Sequence, residues 1–416
     1  MRPSLLSAVA IASGAYAAYS GDIVQYWNDQ SALLVNGTII GGLQSPPSAW
    51  YGAVVQGAIY EAAVTSKSAS LEFQQLAVSH AAHNIIIWAF HGTRNYNAVN
   101  AALRSILPQI GLAANSTDAK KATDIGRKAA RKVAEARADD GLNDYVPYVH
   151  GPKNPGVYQA TPGGNAFPDV PQSRFQRLFA GLGDVTKFRA PPPPAISTKE
   201  AENNILEVKA LGGLNSTERS AFDTDTAYFW RESSITGWNR IAHSVVGNSL
   251  AKKVVESAKF YAQLNYALFN AGVASWDTKY AYDGWRPVTA IQRTDIYLPS
   301  GKNVSDPSWS PLLRPTPNHP DYVSTHSTFG AAAAAVIAAW NGGDKANFTL
   351  SSNVTLDARG VITRSYTSLE AASNENSRSR VLGGVHFTFA TTVGEEVGTT
   401  VALATLKGFD KHWDEF

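Results

Sequence analysis

Three short stretches in the last third of this 416-residue chain combine cations, hydroxyls and imidazoles. The first is Lys279-Tyr-Ala-Tyr-Asp-Gly-Trp-Arg286-Pro287. Its lysine and arginine are two helical turns apart, so both can face one pocket, with Pro287 forcing the chain out of regular helix. The same spacing also suits a solvated helix face. The second, Thr316-Pro-Asn-His-Pro-Asp-Tyr-Val-Ser324-Thr325-His326, runs into an Ala-rich helix expected over Ser327 to Trp340. Free amides at that helix start attract an anion, Ser324 adds a hydroxyl, and His326 can give or take a proton there. A plain cap beside an incidental histidine reads the same residues differently. The third is Ser379-Arg380-Val-Leu-Gly-Gly-Val-His386. A straight helix would point Arg380 and His386 to different sides, but Gly383-Gly384 permits a break that turns both inward. A neutral His386 at the start of the next helix keeps a lone pair for a metal or for attack on phosphorus.

Together the stretches supply three cations, a hydroxyl, helix-terminal amides and two imidazoles, an inventory suited to a highly charged tetrahedral or trigonal-bipyramidal oxyanion. Each charge-assisted hydrogen bond contributes about 1.5 to 3 kcal/mol, so several can hold such an ion against water. The residues alone leave oxyanion binding and phosphoryl-type chemistry both open. Asp283 and Asp321 are candidates to orient Arg286 and His326, or are solvated loop acids. His80, His83 and His91 sit in an apolar helical stretch with no evident carboxylate partner, which favours ordinary helix histidines over a metal site.

Composition limits the alternatives. A formal net charge of +2 gives no basic field for nucleic acid, so an anion site must be local. The absence of cysteine removes disulfides, thiolate catalysis and thiolate metal sites together, and a single methionine leaves little sulfur for peroxide to oxidise. Arg2, the apolar run Leu5 to Ala18 and the small residues Ala15-Tyr16-Ala17 read as a signal peptide over residues 1–18. The sequons at Asn36, Asn115, Asn215, Asn303, Asn347 and Asn353 favour a secreted glycoprotein. No later stretch is apolar for long enough to insert stably in a membrane.

The elements that must position these residues are helical. Apolar residues recur at helical spacing through Ala49 to Ala63, Leu71 to Phe90, Ala98 to Leu107, Lys120 to Ala138, Glu200 to Ala210, Ser220 to Trp230, Leu250 to Ala271 and Phe387 to Leu406. Ser116 or Thr117 can cap the fourth of these helices, and Asp139-Asp140-Gly141 can stop it. Gly151 to Pro171 breaks regular structure, Pro191 to Pro194 form a stiff connector, and Ser197 with Glu200 makes a capping box. No alternating tract is long enough for a sheet. The expected fold is all-α, two packed helical bundles over 19–190 and 191–416, with the site in the second.

In order and spacing, the three stretches resemble the signatures of the vanadium-dependent haloperoxidases and the related type 2 phosphatidic acid phosphatases. The likeness extends to Ala58-Ile-Tyr-Glu-Ala, Ala136-Arg-Ala-Asp-Asp-Gly, Phe188-Arg-Ala-Pro-Pro-Pro-Pro, Glu207-Val-Lys-Ala-Leu-Gly and Ala227-Tyr-Phe-Trp. The resemblance implies vanadate as cofactor, with His386 as its metal ligand and Lys279, Arg286, Arg380, Ser324 and the Thr325 amide around its oxygens. It implies His326 as acid and base, and Lys279 as a further polarising charge. The substrates implied are hydrogen peroxide, a halide and a small organic acceptor, with vanadium as the Lewis acid toward peroxide. His319 lies where the family tunes halide preference, and a histidine there resembles bromoperoxidases. The alternative on the same scaffold is an acid phosphatase in which His386 attacks phosphorus and His326 protonates the leaving oxygen. Thr325 stands where the family has glycine and Val323 where it has proline; if position 325 has φ > 0, threonine costs about 1 to 2 kcal/mol there.

Overall fold

The structure, a computed structural model, describes residues 19–37, 45–91, 96–352 and 360–416. Residues 1–18, where the signal peptide is expected, and the Asn353 sequon lie outside these. The described part contains α1 (Ile23–Gly37), α2 (Ser45–Thr65), α3 (Leu71–Ala89), α4 (Tyr96–Ile110), α5 (Thr117–Ala136), α6 (Lys199–Leu211), α7 (Ala221–Phe229), α8 (Ser234–Val246), α9 (Val254–Tyr282), α10 (Pro287–Gln292), α11 (Thr325–Asn341), α12 (Leu369–Leu382) and α13 (Thr388–His412). The all-α expectation holds.

Helix α9 organises the molecule. Its 29 residues span about 43 Å at the usual rise per residue, and nearly all of them are buried, so it has no polar face. Helices α2, α11, α13 and α1 surround it. Polar groups inside this packing are paired: Asn270 bridges the backbone of Phe179 and the Thr405 hydroxyl, and Asn239 and Asn265 exchange amide hydrogen bonds. One hydrophobic cluster runs from Ile23 to Phe416 and draws on both sides of the expected 190/191 seam. Among the described residues no helix is long and apolar enough to cross a membrane.

Local signals account for most boundaries. Ser116 caps α5 by accepting from the Ala119 amide. The helix stops at Ala136, ahead of Asp139-Asp140-Gly141, because Arg137 turns into an ion pair with Asp140. The cap of α6 is Thr198, one residue beyond the expected Ser197; its hydroxyl accepts from the Ala201 amide. Four helices, α1, α8, α10 and α12, lie outside the stretches that the apolar pattern marks. Helix α12 is rich in Asn, Ser, Glu and Arg. An antiparallel ribbon, β1 (Lys345–Ser351) and β2 (Thr363–Ser368), also departs from the expectation of no sheet. Only Phe348, Leu350 and Tyr366 of these strands turn inward, too few for an alternating tract to stand out.

Candidate active site

The first stretch is not one continuous helix. Helix α9 ends at Tyr282, with Asp283 in the left-handed region at φ 49°, a conformation aspartate tolerates. Pro287 starts the next helix rather than ending the last: Arg286 caps α10 in an extended conformation, and proline occupies its first turn. Asp283 does not orient Arg286, because its carboxylate accepts from the Tyr148 hydroxyl at 2.6 Å.

The third stretch closes as its glycine pair implied. Gly384, at φ 74°, hands the end of α12 into a 6→1 turn in which the Val385 amide donates to the Arg380 carbonyl at 3.1 Å and the Gly384 amide to Val381 at 2.9 Å. A side chain at 384 would also meet the Gly212 carbonyl at 2.3 Å. This turn sets Arg380 and His386 on the same side. Gly398 lets α13 approach α11, since a Cβ there would lie 2.2 Å from the Thr328 carbonyl.

The segments meet as a two-layered site. His319, Thr325, His326, Arg380 and His386 line a cavity of about 520 Å³. Lys279, Arg286 and Ser324, all fully buried, stand behind that wall. Lys279 Nζ donates to the carbonyls of Pro320 (2.8 Å), Asp321 (3.0 Å) and Val323 (2.6 Å), using all three of its protons. Arg286 donates from Nε to the His319 carbonyl at 2.7 Å and from Nη1 to the Val385 carbonyl at 2.7 Å. Its Nη1 also lies 3.1 Å from His386 Nε2, and its Nη2 3.0 Å from His319 Nδ1. Ser324 is the cap of α11; its Oγ accepts from Ser327 Oγ at 3.0 Å and keeps its own proton to give.

Thr325 is the first residue of α11 and is not among the positive-φ residues, so the anticipated glycine-only strain does not arise. Its hydroxyl pairs with Ser275 at 2.8 Å, on the α9 side. As a first-turn residue its amide has no intrahelical acceptor. His326 is fixed from behind, where Asn376 donates to its carbonyl at 2.8 Å. Asp321 serves different partners from those expected. Its Oδ1 lies 2.8 Å from His386 Nδ1, off the line of a hydrogen bond, and 3.9 Å from Arg286 Nη1, whereas His326 is not its partner.

Charge is unbalanced here. Lys279, Arg286 and Arg380 are buried, and Asp321 is the carboxylate near the first two. Burial, then the nearby guanidinium of Arg286, holds the Lys279 ammonium well below its usual range. Burial, then Arg286 and Arg231, brings Arg380 down to about 9. Burial and the same cations push the His319, His326 and His386 imidazoles well below the ordinary histidine range, so all three are neutral. Asp321 is raised by burial to about 7 despite Arg286 and Lys279. Buried groups without partners complete the picture: Arg380 Nε and Nη1, His326 Nε2 and His386 Nδ1 have no hydrogen-bond acceptor or donor. Unmade hydrogen bonds of this kind each cost about 1 to 3 kcal/mol, more for a charged group, and an entering oxyanion would relieve several at once.

Sequence reasoning missed part of the cavity wall. Asp169, Arg231 and Glu232 also line it. Burial raises Asp169 to about 6, with Arg286 opposing, while Glu232 is held by Arg240 through two 2.9 Å bonds. Asp169 comes from the Gly/Pro-rich stretch that reads only as a break in helix, and no local pattern marks it. Among the described residues no group of three or more His, Cys, Asp or Glu is arranged to hold a metal ion, and His83 instead contacts Asn100 at 2.8 Å.

Residues 259–415 match the family model of the VCPO second helical-bundle domain. The vanadium chloroperoxidase of Curvularia inaequalis is 25% identical over 302 residues, covering 55% of this chain and 49% of that protein, so the chain spans about half the length of that relative. Among solved structures, a bacterial vanadium-dependent iodoperoxidase aligns with TM-score 0.75 and 21% identity, over 92% of this chain and 95% of the other. A holo-type bacterial vanadium-dependent chloroperoxidase aligns with TM-score 0.74 and 18% identity, over 95% and 99%. At these identities the structural likeness is one of fold.

Proposed function

We propose that this chain, whose carboxyl-terminal bundle belongs to the family of VCPO second helical-bundle domains, is a vanadate-dependent haloperoxidase that oxidises halide with hydrogen peroxide. The observation that carries the reading is the buried, unpartnered guanidinium donors of Arg380 beside the free Nε2 of His326, at one cavity that His386 also lines. They suit a tetrahedral oxyanion in charge and in hydrogen-bonding capacity, and the relatives named above are vanadium enzymes. Vanadate, when bound, would supply a Lewis acid toward peroxide without a change of oxidation state.

The chain's own residues do the rest. His386, kept neutral by burial, offers an imidazole nitrogen to the metal, with Asp321 behind its other side. Arg380 gives its free guanidinium protons to the oxyanion. Lys279 and Arg286, held by backbone carbonyls, contribute fixed positive charge from the second layer. Thr325 presents its amide and Ser324 its hydroxyl proton. His326, neutral and with Nε2 free, takes the proton of incoming peroxide. His319, packed 4.7 Å from the Trp276 ring, favours bromide over chloride in this reading. The reading also makes the protein an exported one, on the residues 1–18 pattern, and a glycoprotein, on sequons of which Asn115, Asn215, Asn303 and Asn347 are exposed.

The test is halogenation of a phenol dye by purified protein with peroxide, with bromide and chloride compared, before and after vanadate is added. Vanadate-dependent turnover that is faster with bromide is expected. Halogenation indifferent to vanadate would overturn the reading. So would hydrolysis of a phosphate ester, inhibited by vanadate and without halogenation, which is the outcome a histidine phosphatase gives.

A further inference from the structure

Behind Asp321, on the side away from the oxyanion cavity, lies a smaller cavity of about 210 Å³. The two share no wall residue. Trp285, Tyr322, Phe387, Phe389, Ile196 and Ile205 form most of this second wall, and Phe387 and Phe389 stack at 5.3 Å between ring centroids. Its mouth is made by the Pro193-Pro194-Ala195 end of the proline connector, a motif the oxyanion site does not use. The Tyr322 hydroxyl is already committed to the Pro191 carbonyl at 2.7 Å. That leaves Asp321, 1% exposed, as the one charged side chain among the described lining residues; the Phe387 amide and His386 Nδ1, the latter at 2.8 Å but out of line, are its polar neighbours, and its carboxyl oxygens keep capacity for a further hydrogen bond.

A dry apolar cavity of about 150 Å³ holds a benzene ring, so this one has room for a single ring and one polar substituent. Its chemistry selects the substituent. A carboxylate would confront Asp321, and an ammonium would enter the field of Arg286, whose Nη1 is 3.9 Å from that carboxyl. A hydroxyl can donate to an ionised carboxylate or accept from a protonated one, so it satisfies Asp321 in either form. We propose that this cavity is a second binding site, taking a neutral single-ring phenol whose hydroxyl bonds to Asp321. The ligand is walled off from the oxyanion cavity, and the carboxyl it holds is the one beside His386. The site is therefore placed for an effector rather than for a reacting substrate.

Calorimetric titration of the full chain with phenol, in buffer free of vanadate and phosphate, tests this whatever the outcome for peroxidase activity. One phenol per chain is expected, with benzene and benzoate each weaker by about tenfold or more, the loss of one hydrogen bond to a charged group. Ala195→Trp, a change at an exposed position of the mouth, should abolish binding while the thermal melt stays unchanged. A crystal soaked in phenol should show the ring among Trp285, Phe387 and Phe389. Absence of saturable binding, equal affinity for benzene, or unimpaired binding by Ala195→Trp with an unchanged melt would each overturn the proposal.

Discussion

Two buried arginines invite comparison. Arg137, at the end of α5, is fully enclosed and, although its Nε is unpartnered, has its charge matched within the protein: Nη1 donates to both oxygens of Asp140, at 3.0 and 2.9 Å, and to the Arg177 carbonyl at 2.6 Å. The guanidinium also lies 3.5 Å from the centre of the Phe179 ring, and Asp140 accepts in addition from Trp50 Nε1 at 2.6 Å. Arg380 is just as dry, yet it has no carboxylate beside it, and Nε and Nη1 are unpartnered. The same side chain, equally desolvated, is a structural tie in one place and a socket in the other. What separates them is whether the protein itself supplies the counter-charge. Burial alone, or one unmade hydrogen bond, therefore marks neither function; burial without a counter-charge marks the socket.

This contrast can be broken by substitution. The largest effect is expected from Asp140→Ala, which strands Arg137 in the core and should destabilise by about 3 to 5 kcal/mol. Chemical denaturation should show that loss, while vanadate or phosphate binding by the folded fraction stays as in the parent. Arg380→Met should do the opposite. Oxyanion affinity should fall by about 1.5 to 3 kcal/mol, roughly ten- to 150-fold, with no fall in the melting temperature of the unloaded protein. A clear loss of stability in Arg380→Met would mean that the arginine is a tie after all.

A pH series sharpens the same comparison from the acid side of the site. Burial raises Asp321 to about 7 in the folded state, from an ordinary value near 4 when unfolded. The folded form thus holds its proton more tightly. The corresponding stability is present below the unfolded value and is lost as pH rises through about 7. Asp321→Asn, which stays neutral, should gain stability relative to the parent between about pH 4 and 7, measured without bound oxyanion. A constant difference over that range would show that Asp321 is ionised throughout. The smallest effect is expected at Thr325. Because this residue is helical, Thr325→Gly should cost about 0.5 to 1 kcal/mol in backbone freedom rather than relieve strain. A stabilised variant would contradict a helical Thr325.

Much of the site could be read from the chain because its information is local. Lys279 and Arg286, Ser324 to His326, and Arg380 with His386 each lie within a few residues of a helix boundary, and Gly383-Gly384 announces the turn that joins the last pair. The fold class was legible for the same reason, from long apolar periodicities such as that of α5. What could not be read depends on contacts across the fold. Asp321 falls beside His386 and Arg286 rather than His326 because α10 and the turn after α12 converge there, and nothing in its neighbours says so. Asp283 looked like a partner for Arg286 by proximity in sequence, yet the left-handed turn sends it to Tyr148. Asp169, far upstream, lacks any local mark. Helix α12 carries Arg380, but its polar composition hid the helix itself.

Lys279 has a consequence for how the cavity comes to be loaded. Its ammonium is solvated by three carbonyls of the 320–323 segment, so that charge does not wait for an anion before the chain can fold around it. The same bonds stitch the end of α9 to the entrance of α11, giving the cavity a frame before anything occupies it. Maturation can then proceed in two separable stages, folding first and capture of the inorganic ion afterwards. Environmental phosphate and vanadate would compete for a vessel already shaped, and their relative abundance, rather than the folding route, would decide what it carries.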